Sequence, residues 1–141
     1  MTFQIQHQLI FNNKSYSFDF FDEPPFYLSD FNIETTMAST ACYRGYKLIC
    51  EIVNDKLFIQ ELRLREKNKS NILFFGNKGK HLKTTEDPLF NKVYEKLSTP
   101  ISYTGKIYIA DEEYNSVLQK TIETRYELTF YKGELIQVNE R

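Results

Sequence analysis

The run TACYRGYKLICEIVNDKLFIQELRLR, residues 40–65, leaves this chain few ways to fold. Cys42, Arg44, Tyr46, Leu48, Cys50 and Ile52 alternate with Tyr43, Gly45, Lys47, Ile49, Glu51 and Val53. A pleated strand sends successive side chains to opposite faces, so the pattern predicts one strand from Thr40 to Val53 with one face kept dry. Asn54–Lys56 is a tight-turn signal, and Leu57–Arg65 alternates again, which predicts a hairpin. Strict alternation along its second strand puts Phe58, Gln60, Leu62 and Leu64 on one side and Leu57, Ile59, Glu61 and Arg63 on the other.

The same signature recurs along the chain. Phe3, Ile5, His7 and Leu9 alternate with glutamines, and SYSFDF follows the turn at Asn12–Lys14. Pro24 and Pro25 exclude a central strand and predict a surface loop. Ile72–Phe75 reads as a short apolar strand, Ile101–Ala110, Gln119–Tyr131 and Leu135–Asn139 as longer ones, and Asp111–Ser116 as a polar turn. One helix is expected: Asp87 suits a cap and Pro88 the first helical position, with Leu89, Phe90, Val93, Tyr94 and Leu97 at helical spacing. Short turns make antiparallel neighbours, not parallel crossovers. The expectation is a mainly β chain: a curved antiparallel sheet, sandwich or barrel-like, of about eight strands with one packed α-helix.

At 141 residues the chain suits a single domain, 1–141, large enough to bury a core without staples. Its 10 Tyr and 12 Phe favour strands and supply large buried areas. Cys42 and Cys50 lie eight apart on the predicted strand, roughly 26 Å if it is straight, too far for a disulfide. Reduced thiols, a start lacking a signal-peptide pattern and the lack of a membrane-spanning apolar run lead to a cytoplasmic location as the expectation.

The segment TACYRGY (Thr40–Tyr46), the following strand Asp55–Leu62, YTGKI (Tyr103–Ile107) and YEL (Tyr126–Leu128) resemble the motifs of a family of small, uncharacterised bacterial β-rich proteins. Its first motif is T-A-C-[WY]-R-G-Y, with Tyr43 here in place of the usual tryptophan, and Thr129 and Phe130 depart from its last motif. The resemblance implies a β-rich single domain. It implies no catalytic residue, because no activity is known for that family.

Candidate chemistry is sparse. His7 and His81 stand far apart in sequence without ligand-spaced partners, and the two cysteines form no CxxC pair, so neither a metal nor another cofactor is expected. No nucleophile elbow or phosphate-cradling glycine pattern occurs. Arg44 is the anomaly, because an unpaired buried guanidinium is costly. In a structural reading it spans the core to Glu123 or Glu127. In a binding reading Arg44, Tyr46, Tyr103 and Tyr126 line a pocket in the curved sheet that grips a small polar or anionic molecule, as a binder or an enzyme.

Charge is unevenly placed. The net charge is −1, but residues 63–83 hold seven Lys/Arg against Glu66 alone. That segment brackets Phe74 and Phe75, a pattern that would suit single-stranded nucleic acid, although the rest of the chain is acidic. Asp22 and Glu23, and Asp111, Glu112 and Glu113, mix with aromatics as candidate surfaces for a basic protein partner. The leading expectation is a non-enzymatic soluble bacterial binding protein acting by protein–protein contact, such as an immunity protein of a toxin system. The small-molecule pocket is the alternative, nucleic acid the third reading, and no membrane role is expected.

Overall fold

In the computed structural model the description covers residues 5–20 and 24–141, with the side chains of 19, 20, 112–115, 122 and 124 left aside. Ten strands form one sheet among these residues: β1 His7–Phe11, β2 Lys14–Phe20, β3 Tyr46–Val53, β4 Lys56–Leu64, β5 Lys80–His81, β6 Lys92–Tyr94, β7 Thr99–Pro100, β8 Gly105–Asn115, β9 Lys120–Tyr131 and β10 Glu134–Glu140. Their order is β10-β9-β8-β2-β1-β3-β4-β6-β5, with β7 also on β4. Glu134 of β10 pairs with Lys56 of β4, which closes seven strands into a barrel. Among the described residues no helix is long and apolar enough to cross a membrane.

The closure depends on two tight turns meeting. Leu57 donates its N–H to the Gly133 carbonyl (2.9 Å), and Leu135 donates to Asp55 (2.7 Å). Gly133 has φ +85°, and a Cβ there would lie 2.4 Å from the Ile101 carbonyl oxygen. Only glycine meets both demands.

Inward rows fill the barrel. Leu9, Phe18, Leu48, Cys50, Leu57, Ile59, Leu62, Leu64, Ile107, Ile109, Leu128 and Phe130 are all buried. A barrel of seven strands is narrow enough for such side chains to occupy its interior. The inward phase holds at Leu48 and Cys50 of β3, Ile107 and Ile109 of β8, and Leu128 and Phe130 of β9, with the Ile122 and Thr124 side chains outside the described residues, but that of β4 changes midway. A bulge between the Ile49–Glu61 and Cys50–Ile59 pairs inserts Gln60, so Leu57 and Ile59 before it and Leu62 and Leu64 after it all face inward. Gln60 then accepts the Leu97 N–H on its carbonyl (2.9 Å) and the Ser98 hydroxyl on its side chain (3.0 Å).

Several expectations need correction. Residues 87–97 form no helix; among the described residues the one helical segment is the 3-10 turn Leu28–Phe31. The Asp87 carboxylate does accept the N–H groups of Leu89 and Phe90, but as a local turn. Beyond it Lys92, Val93 and Tyr94 are buried in succession in β6, a burden a one-sided helix cannot carry. A helix of this length is also marginal without a packed stripe.

The strand expected from Thr40 begins only at Tyr46. At Gly45, φ is +76° and the Thr36 carbonyl oxygen lies 2.1 Å from where a Cβ would stand, so the backbone turns there against a neighbouring segment. Residues 72–75 are no strand either: Phe75 (φ +47°) and Gly76 (φ +77°) form the corner of a two-residue turn bridged by Phe74 and Asn77. The sheet is not wholly antiparallel, since β1 runs parallel to β3. The polar stretch 111–115 continues β8 instead of turning.

Candidate functional site

Arg44 stands on the turn that feeds β3. Its Nε donates to the Tyr46 carbonyl (2.8 Å) and its Nη2 to the Ile5 carbonyl (2.5 Å). The guanidinium lies 5.5 Å from the centre of the Tyr46 ring. Its own carbonyl accepts the Thr35 hydroxyl (2.8 Å). The charge is therefore met by main-chain oxygens. The acids expected to pair with it are engaged elsewhere: Glu123 with Arg125 (2.7 Å) and Glu127 with Lys106 (2.8 Å).

His7 completes this cluster. Its Nδ1 accepts the Leu48 N–H (3.0 Å) and lies 3.4 Å from Arg44 Nη2. The Tyr46 and Phe18 rings each stand 5.6 Å away. Burial above all, then the charges of Arg44 and Lys47, push the imidazole pKa down to about 3. The ring is neutral at physiological pH, and an acceptor Nδ1 places its proton on Nε2. Arg44 and His7 thus staple the approach to β1 onto the start of β3.

The other two tyrosines of the expected pocket sit apart. Tyr103 lies at the closure end of the barrel, where its hydroxyl donates to Lys106 O (2.9 Å) and its carbonyl accepts the Gly133 N–H (2.8 Å). Tyr46 is at the far end of β3 from that closure. Tyr126 lies on β9 opposite Ile109 and meets Tyr16 edge-on at 5.9 Å. The structure therefore joins Arg44 with Tyr46 but not with Tyr103. Of the acidic positions, Asp111 pairs with Lys14 (2.7 Å); Asp22, Glu23 and the side chains of Glu112 and Glu113 lie outside the described residues. Among the described residues no three of His, Cys, Asp and Glu gather as metal ligands.

Two features escaped the sequence reading. One is the brace that ties the loop between β4 and β5 to the start of β6. Lys92 Nζ is buried 3.2 Å from Glu66 Oε2 and donates to Ser70 O (3.1 Å). The Ser70 hydroxyl also donates to Glu66 Oε2, and its N–H to Oε1 (3.0 Å). Asn91 ties both the N–H and the carbonyl of Glu66 (2.7 and 3.1 Å). The clue was Glu66 itself, the one acid in a basic run.

The other is the edge of β10. This strand pairs with β9 along its length but meets β4 only at Glu134. Ile136 is 63 % exposed and Val138 43 % exposed, beyond the closure. On the outer wall, a cleft of about 800 Å³ opens between β1–β2 and β8–β9, lined by Gln8, Ser17, Tyr108, Arg125 and Arg141 among others. Its cations are partly engaged, Arg125 by Glu123 and Arg141 over the Tyr108 ring at 4.7 Å.

No family model matches the chain, and no curated protein or solved structure matches it. The class defined by the fold is a small, side-chain-filled β-barrel in which, among the described residues, one edge of β10 is paired only at its start.

Proposed function

We propose that this protein is a non-enzymatic binding protein that acts by protein–protein contact, taking an extended segment of a partner onto the edge of β10. The observation that carries this reading is the pairing of β10: one side is covered by β9, while the other leaves the closure after Glu134 with Ile136 and Val138 exposed. An open edge offers a row of main-chain donors and acceptors, and alternate side chains add selectivity. Glu134 and Glu140 bracket the edge, which suits a partner strand with basic residues. Masking a basic toxin segment, as an immunity protein does, is a role of this kind.

The test is co-purification from the native host at low salt, comparing the wild type with Val138→Pro. Proline removes a donor and blocks strand addition. A partner retained by the wild type and lost with the variant supports the reading; equal recovery with a folded variant rejects edge pairing.

The outer cleft favours a second reading, a small polar ligand. Its amide, hydroxyl and guanidinium groups would hold a hydroxyl-rich molecule, and a thermal-shift screen of neutral saccharides, read against Arg125→Ala, tests it.

A further inference from the structure

The loop between β4 and β5 is built to be rigid. Glu66, Ser70, Asn91 and Lys92 lock its base, and the Tyr94 hydroxyl donates to the Ile72 carbonyl (2.7 Å). At its tip the chain turns through Phe75 and Gly76, both at positive φ. A bulky residue rarely takes the left-handed region, which belongs to Gly, Asn and Asp in such turns. Asn77 holds the corner by donating its side-chain amide to the Phe75 carbonyl (3.0 Å). Phe75 leans edge-on against Phe31 and Phe74, both at 4.7 Å, and against Phe26 at 5.6 Å. Even so, Phe75 stays 37 % exposed, and Leu73 beside it 48 % exposed.

The seven cations of residues 63–83 divide into two groups. Arg63 is held by Glu61 and Asp87, Arg65 donates to the Leu89 carbonyl, Lys67 meets Glu34 and Lys80 meets Glu86. Lys69, Lys78 and Lys83 are exposed, and none makes an ion pair among the described residues. Glu66 is buried under Lys92 and cannot offset Lys69 and Lys78 at the surface, whereas beside Lys83 the Glu86 carboxylate accepts the Lys83 N–H (3.1 Å).

We infer that the tip of this loop, Leu73 and Phe75 with Lys69 and Lys78 flanking them in the chain, is a docking surface for an acidic protein segment that carries apolar anchors. It is separate from the β10 edge. Charge complementarity selects an acidic partner, and the apolar pair supplies contact once it is desolvated. A single-stranded nucleic acid is the weaker occupant, because one of the two exposed apolar side chains is the aliphatic Leu73 and Phe75 is wedged among three other rings, whereas base stacking needs an open aromatic face.

The experiment titrates the isotope-labelled full chain with three probes: a Glu/Leu/Phe peptide, the same peptide with Lys for Glu, and an oligothymidylate. The expected result is saturable binding of the acidic peptide alone, with amide shifts confined to residues 66–83. Lys69→Glu/Lys78→Glu, which alters only exposed positions, weakens that binding at least tenfold, and Leu73→Ser weakens it without unfolding the chain. Oligothymidylate binding in place of the acidic peptide, shifts outside the loop, no saturable binding, or indifference to the charge reversal overturns the inference.

Discussion

Lys92 and Glu66 form an ion pair at 3.2 Å with side chains 1 % and 4 % exposed. They come from positions 26 apart and join the start of β6 to the second residue beyond β4. Removing one partner strands the other charge away from water, which costs about 3–5 kcal/mol. Lys92→Met is therefore expected to lower the urea midpoint sharply without changing the slope. Hydrogen exchange across residues 66–79 should rise in the same variant.

His7 predicts a pH dependence. The folded imidazole pKa is pushed down to about 3, well below its ordinary value. A group depressed on folding binds its proton more readily when unfolded. Its contribution is intact above pH ~6.5 and is lost as pH falls toward the folded value, by up to about 1.4 kcal/mol per pH unit. His7→Asn keeps an acceptor near the Leu48 N–H but has no proton to take up. Between pH 7 and pH 4.5 the variant should lose less stability in urea unfolding than the wild type does.

Arg44 is expected to resist conservative replacement. It reaches two carbonyls, at Tyr46 and Ile5, from two different nitrogens of a planar group. A lysine has one nitrogen on a flexible stem and cannot reproduce that fork. Arg44→Lys should cost roughly 1–3 kcal/mol, the scale of charged hydrogen bonds lost to main-chain acceptors. Proteolysis near residue 5 should quicken accordingly.

Gly133→Ala tests the closure. The added methyl meets the Ile101 carbonyl oxygen while the backbone is held at φ +85°. The loss should exceed about 1 kcal/mol, the ordinary scale of a compatible glycine replacement. Calorimetry gives the magnitude, and amide exchange at Leu57 and Leu135 reports whether the seam has opened.

Cys42 and Cys50 are both buried free thiols, and burial pushes the Cys50 pKa up to about 12. The thiolate is the reactive form. A thiol reagent at pH 8 should label neither cysteine in the native protein and both in denaturant. Fast native labelling would contradict the packing of the barrel interior.

The long strands were legible because period two survives along β1, β2, β3 and the described side chains of β8 and β9. Leu9, Phe18, Leu48, Cys50, Ile107, Ile109, Leu128 and Phe130 all face inward as their spacing required. The bulge at Gln60 was also written in the chain, as the phase break between Ile59 and Leu62, but alternation alone does not say which strand absorbs it. The helix expected at 87–97 failed for a different reason. Leu89, Val93 and Leu97 satisfy a helical stripe, yet the buried neighbours Lys92 and Tyr94 need contacts on both sides. Their partners Glu66 and Ile72 lie more than twenty residues away, beyond any local pattern.

Arg44 marks the same boundary for the candidate site. The sequence showed that its charge needed acceptors, but distant carboxylates and main-chain carbonyls serve equally well in one dimension. The sequence by itself determined a β-rich chain, most of its strands and their dry faces, because pleating ties side-chain direction to residue parity. Tertiary structure alone decided the parallel β1–β3 pairing, the barrel seam at Glu134 and Lys56, and the brace beneath the basic loop. Those depend on which backbone edges and which lone charges meet, and long-range hydrogen bonding leaves no period in the chain.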